Sequence, residues 1–156
     1  MLTVQELFDL SHTLAAPLLL EEAEPWRALP KIAAFIRALG PQLNPEEYDH
    51  PQPEVWIART ARVAPTASIT GPCIIGPGTE VRHCAFIRGA ALVGADAVVG
   101  NSVELKNVIL FDRVQTPHYN YVGDSILGYR AHMGAGSITS NVKSDKTLVY
   151  VQDGDE

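Results

Sequence analysis

Every sixth residue between Ile57 and Phe111 is apolar: Ile57, Val63, Ile69, Ile75, Val81, Ile87, Val93, Val99, Leu105 and Phe111. In a chain that is 46% hydrophobic, an unbroken run of this length in one of six frames arises by chance about 0.3% of the time, so the period is real. A second series, four residues after the first, is small: Ala61, Ala67, Cys73, Thr79, Ala85, Ala91, Ala97 and Val103. Neither a 3.6-residue period nor strict alternation runs through the stretch, which leaves the hexad as the pattern to explain. A hexad of this kind reads as a parallel β-helix.

The physical content of that reading is simple. Each hexad supplies one short strand whose first residue points inward and a turn closed by the small residue. Three hexads then make a triangular coil, and coils stack at the ordinary strand spacing of about 4.8 Å. Residues eighteen apart therefore lie above one another.

Composition limits the partners. The net charge of −6 argues against nucleic acid or an anionic membrane as the main surface. No stretch approaches a membrane span, and the start MLTVQELFDL lacks the basic opening of a signal peptide. A cytoplasmic protein is expected. The two cysteines, Cys73 and Cys84, agree with a reducing compartment. Cys73 falls in a small inward slot and reads as a buried hydrophobe, whereas Cys84 falls at a free position to which the pattern assigns nothing.

Residues 1–50 lack the repeat and read as a helical cap and linker, with the β-helix over 51–156. Thr3 and Glu6 have capping-box spacing for a helix running to about His12, after which Pro17 interrupts. Apolar residues at Leu29, Ile32, Phe35, Ile36 and Leu39 predict a second helix over 26–39, with Pro30 in its first turn and Gly40-Pro41 at its end. A third turn is expected at Asn44-Pro45-Glu46, then an extended linker, His50-Pro51-Gln52-Pro53. Repeat solenoids need caps, so this segment is expected to plug the open apolar end; an oligomer contact is the other reading.

Beyond Phe111 the register fails. The pattern resumes at Val122, Leu127, Met133 and Thr139, and the segment between Phe111 and Val122 is polar and aromatic. Violations of a consistent pattern are where function concentrates. Stacking puts Thr70, Arg88 and Lys106 in one outward column, so two cations are neighbours about 4.8 Å apart, an arrangement that repels unless an anion lies between them. Gly123 and Ser140 continue that column with Asn141 adjacent, and His118 and Tyr121 flank the corner. One cleft is expected to collect Arg88, Lys106, His118, Tyr121 and Asn141.

Three runs in this region carry a family resemblance: Val99-Gly100-Asn101-Ser102-Val103-Glu104-Leu105-Lys106, His118-Tyr119-Asn120-Tyr121-Val122-Gly123-Asp124, and Gly134-Ala135-Gly136-Ser137-Ile138-Thr139-Ser140-Asn141. Over about residues 65 to 142 the chain resembles the hexapeptide-repeat acyltransferases, in the branch formed by the acetyltransferase half of the bacterial bifunctional GlmU enzymes, where the runs read VGNxVExK, HxxYxGD and GAGTxTxN. The resemblance implies a left-handed β-helix, an exception to the right-handed crossover rule. It also implies a homotrimer with sites between subunits and acetyl transfer from acetyl-CoA to the amine of glucosamine 1-phosphate. Position by position, His118 matches the general base, Arg88 and Lys106 the phosphate-binding cations, Tyr121 and Asn141 the sugar contacts, and Ala135 the motif that touches the acetyl donor. An imidazole suits the role, since it titrates near neutrality and an attacking ammonium must lose a proton.

The departures are specific. His132 stands where the family has Asn at another sugar contact, and Val142-Lys143-Ser144-Asp145 replaces a Tyr-Asp-Gly run. A ligand-contacting lysine has its nearest counterpart in Lys146. The uridylyltransferase half has no counterpart, and the family builds much of its CoA site from later coils, so the β-helix is expected to be truncated at its C-terminal end. Two other readings stand beside the acetyltransferase. One is a trimeric sugar-phosphate-binding or scaffold protein that retains the anion cleft. The other is a metal-dependent hydratase of the same fold, which needs three histidines; His83, His118 and His132 are available, but Gly123 occupies the close partner's position. No bound metal is expected.

Overall fold

The strands follow the hexads. In chain order they are β1 (Tyr48–Gln52), β2 (Val55–Ala58), β3 (Arg62–Val63), β4 (Ser68–Ile69), β5 (Cys73–Ile75), β6 (Glu80–Val81), β7 (Phe86–Ile87), β8 (Ala91–Val93), β9 (Val98–Asn101), β10 (Glu104–Leu110), β11 (Gln115–His118) and β12 (Tyr121–Leu127). This computed structural model describes residues 3–140 and 142–150. Parallel pairing from coil to coil makes three faces. The first contains β2, β5, β8 and the later halves of β10 and β12; the second β3, β6, β9 and β11; the third β4, β7 and the opening halves of β10 and β12. The result is the left-handed parallel β-helix with a small helical N-terminal segment.

Both series of the repeat point as the hexad requires. Val81, Ile87, Val93, Val99 and Leu105 are buried, as are the small residues Cys73, Thr79, Ala85, Ala91, Ala97 and Val103. Thr79 is tolerated inside because its hydroxyl donates to Gly94 O at 2.7 Å and accepts from Ala97 N at 3.0 Å.

The register break lies earlier than the sequence pattern places it. Val55 faces Cys73 and Cys73 faces Ala91, steps of eighteen; Ala91 faces Val108 and Val108 faces Ser125, steps of seventeen. The inward series therefore runs Leu105, Leu110, Thr116, Val122, Leu127. The lost residue comes out of the corner between the third and first faces. In the earlier coil that corner holds two left-handed residues, Gly89 (φ 108) and Ala90 (φ 50); in the later coils it holds one, Asn107 (φ 56) and then Asp124 (φ 46). Phe111 disguises the deletion. It is apolar and fully buried, but it sits outward, level with Gly94, where its ring meets Phe8 at 5.3 Å between centroids.

The helical segment comprises α1 (Val4–Leu7), α2 (Ala16–Leu20) and α3 (Ile32–Leu39). The capping box of Thr3 and Glu6 forms as its spacing predicts. The helix ends early because Asp9 caps a separate 3-10 turn over Leu10–His12. Pro17 starts α2 near its N-terminus instead of interrupting a helix. The second predicted helix divides too: Pro25–Lys31 is a 3-10 helix with Pro30 inside it, and α3 begins only at Ile32. The expected linker is the strand β1, antiparallel to β2.

Nor does this segment plug an end. α3 packs against β8 and β10, and the Pro25–Lys31 turn against β12, so the helices lie along the first face. That face is consequently apolar on both surfaces: Ile75, Val93 and Leu110 point inward, while Trp56, Ile74, Leu92, Ile109 and Ile126 form an outward column that meets the helices. Gly40 lets α3 end against the Trp56 ring, which a Cβ at that position would strike. Helices and coils share one hydrophobic cluster.

Candidate functional site

Among the described residues no helix packs on β4 or β7 of the third face. Alternation along its strands turns Ile69, Ile87, Leu105 and Val122 inward and leaves two outward columns. One is Ser68, Phe86, Glu104, Tyr121 and Ile138; the other continues from Arg88 to Lys106 and Gly123. Arg88, Lys106 and Tyr121 thus share one face, as the stacking predicts. A Cβ at Gly123 would collide with the Tyr121 ring, so the glycine is what allows that phenol to lie across the column.

The two cations are not left to repel each other. Arg88 donates to Glu104 Oε1 at 2.8 Å, which corrects the expectation that only a bound anion compensates the pair. Lys106 Nζ donates to both carboxylate oxygens of Asp124, at 3.0 and 2.9 Å, and Asn107 Nδ2 donates to the same group at 2.8 Å. The hydrogen-bonded Glu104 carboxylate pushes the Arg88 guanidinium further up from its ordinary value, with Tyr121 adding a smaller effect. At 52% and 38% exposure the Arg88 and Lys106 side chains remain open to solvent. A phosphate arriving here would compete with the Glu104 and Asp124 carboxylates for these charged donors.

Glu104 and Asp124 belong to this charged cluster, and column stacking alone does not find them. The signal was present in the second motif, whose Asp follows the Gly, but reading it required the shortened corner. There the left-handed backbone of Asp124 aims its carboxylate back over Lys106 and Asn107 in the previous coil.

His118 ends β11 at the corner between the second and third faces, above Asn101. Its position is set by Asn120, which occupies the small inward slot and is 2% exposed. Asn120 Oδ1 accepts from His118 N at 3.2 Å, and Nδ2 donates to Gly134 O at 2.8 Å and Ser137 O at 3.2 Å. Gly136 N donates to His118 O at 3.0 Å, so the turn bearing Ala135 stacks directly on the histidine. The imidazole itself is exposed, and among the described residues it has no hydrogen-bonding or ionic partner. His118 therefore adjoins the face that carries the cations without touching them. Asn141 lies outside the described residues.

His132 is separated from this group. It pairs with Gln115 at the opposite end of the second face, with Nδ1 3.1 Å from Gln115 Oε1. Among the described residues no group of three or more His, Cys, Asp or Glu is gathered to hold a metal ion, and no helix is long and apolar enough to cross a membrane. Lys143 bonds Thr147 at 2.5 Å, and Lys146 is an exposed turn residue with φ 57.

Comparison with known proteins agrees with this architecture. The bifunctional protein GlmU of Nostoc sp. (strain PCC 7120) is 40% identical over 92 residues, which cover 57% of this chain and 20% of that protein. The bifunctional protein GlmU of Stutzerimonas stutzeri is 39% identical over 85 residues, covering 54% and 19%. The match thus spans about one fifth of the length of these relatives. Among solved structures, the acetyltransferase domain of PglB from Neisseria gonorrhoeae superposes with a TM-score of 0.52 at 21% identity, over 54% of this chain and 42% of that one, a likeness of fold. The sequence profile of the GMPPB C-terminal domain matches residues 69–149, just over half of the chain. The protein therefore belongs to the family of the GMPPB C-terminal domain, and its coils are similar in sequence to part of the bifunctional GlmU proteins.

Proposed function

We propose that the chain is a CoA-dependent N-acetyltransferase that moves an acetyl group from acetyl-CoA to the amine of an amino-sugar phosphate such as glucosamine 1-phosphate. In this reading Arg88 and Lys106 hold the phosphate, Tyr121 and Asn141 the sugar, and the turn at Ala135 the acetyl donor. His118 removes a proton from the amine as its nitrogen attacks the thioester carbon. The carbon–sulfur bond then breaks, and the departing thiolate takes up a proton. A cytoplasmic homotrimer, with a neighbour closing the open third face, completes the proposal.

One observation carries it: two cations in successive coils on an uncovered face, beside a tyrosine for which Gly123 makes room. A basic pair of this kind suits a phosphate monoester. The relatives named as bifunctional GlmU proteins support the same choice.

A second reading, sugar-phosphate binding without catalysis, is favoured by the His118 ring, which no second group orients among the described residues. Bases in active sites are commonly held by such a group. A thiol-release assay with acetyl-CoA and a panel of amino sugars and their 1-phosphates separates the two. The acetyltransferase releases CoA with the 1-phosphate, and His118→Ala lowers turnover by about a hundredfold or more without unfolding the domain. Glucosamine 1-phosphate binding without thiol release would establish the second reading, and unchanged turnover in His118→Ala would remove the base.

A further inference from the structure

The corner that carries His118 also carries a thiol, two coils below. Cys84 is exposed, with φ 57, and its Sγ lies 3.2 Å from Nε2 of His83. The other ring nitrogen, Nδ1, lies 2.6 Å from Oγ1 of Thr66 in the preceding coil. The backbone is held from both sides: Cys84 N donates to Thr66 Oγ1 at 3.3 Å, and Asn101 Nδ2 donates to His83 O at 3.1 Å. An imidazolium at His83 would thus find an acceptor for each of its two protons, the Thr66 oxygen and the Cys84 sulfur. A nucleophile beside a base that a third group orients is the arrangement found at activated side chains.

An open groove of about 460 Å³ adjoins this relay, lined among others by Arg62, Glu80, Arg82, His83 and Asn101. Glu80 holds Arg82 at 2.9 Å, and Arg62 lines the same groove, so its charged lining is two guanidiniums to one carboxylate. The other cysteine supplies the contrast. Cys73 is fully buried, and desolvation pushes its thiol up to about 12.

We propose that Cys84 is a covalent modification site that exchanges with anionic low-molecular-weight disulfides. His83 Nε2 takes the thiol proton, and the sulfur attacks one sulfur of the reagent. A new S–S bond to Cys84 forms as the reagent's own S–S bond breaks, releasing one equivalent of thiolate. The reagent is the oxidant, and the protein sulfur is oxidised to a mixed disulfide. Arg62 and Arg82 attract the reagent's charge. The site lies about 10 Å along the corner from His118 and uses none of the residues assigned to acetyl transfer.

The test uses the whole chain with dithiobis(nitrobenzoate), a dianionic disulfide, and dithiodiethanol, a neutral one. Wild type should release one thiolate per chain from the dianionic reagent at pH 7, about tenfold faster than His83→Gln. Thr66→Val should fall between them. The preference for the dianionic reagent should shrink in high salt and in Arg62→Gln, and Cys84→Ser should release nothing until it is unfolded. Equal rates in wild type, His83→Gln and Thr66→Val would overturn the proposal. So would labelling of Cys73 before Cys84 in the native protein. Thr66→Val keeps the test decisive if His83→Gln folds poorly.

Discussion

The first and third faces are built from the same hexad, yet they have opposite surroundings. On the first, inward Ile75, Val93 and Leu110 are backed by outward Ile74, Leu92 and Ile109, and both layers are fully buried. On the third, the inward layer is as apolar, but Arg88, Glu104, Lys106 and Tyr121 stand outward. The difference shows how one repeat divides its work. An outward apolar column recruits a helical cover and becomes core; an outward charged column leaves a surface free to meet a ligand.

That division predicts a gradient of mutational effects. Leu92→Ala should destabilise the protein by about 2–5 kcal/mol, read as a lower midpoint in urea unfolding at unchanged slope, because the helices cannot follow the lost volume. A cost no larger than that of a third-face substitution would show that the helices do not belong to the core. Asn120→Ala tests the corner between the faces. It removes both Nδ2 donations, to Gly134 O and Ser137 O, and should cost about 1–3 kcal/mol. Because the same side chain sets the His118 backbone, catalysis should fall with stability; full activity at reduced stability would separate the two. Lys106→Ala should cost under about 1 kcal/mol, as expected for a half-exposed ion pair with Asp124, while weakening sugar-phosphate binding. A larger loss of stability would make the third face structural too.

Much of this was legible in the sequence, and the failures have definite causes. The period gave the interior and the stacking of Arg88 below Lys106, since both depend on one repeated constraint. The shortened corner was hidden because Phe111 satisfied the sixth-residue count while pointing outward, and because Thr116, a polar residue, took the inward slot. The position of the helices was partly legible: Trp56, Ile74 and Leu92, eighteen apart and one residue ahead of the inward series, mark a covered face, and Ile109 and Ile126 join them only in the true register. The carboxylate partners Glu104 and Asp124 required the true register. The His83–Cys84–Thr66 relay required residues in different coils, which no linear motif joins.

If Arg88 and Lys106, brought together by successive coils on the uncovered face, hold a phosphate, the affinity for a sugar phosphate depends on both side chains. Calorimetric titration of glucosamine 1-phosphate into wild type and into the double variant Arg88→Ala, Lys106→Ala tests it most directly. Wild type should bind measurably, and more weakly at high salt. The double variant should lose at least about a hundredfold in affinity, from two charge-assisted contacts, with the melting transition nearly unchanged. Undiminished affinity in the double variant would contradict phosphate binding by the pair.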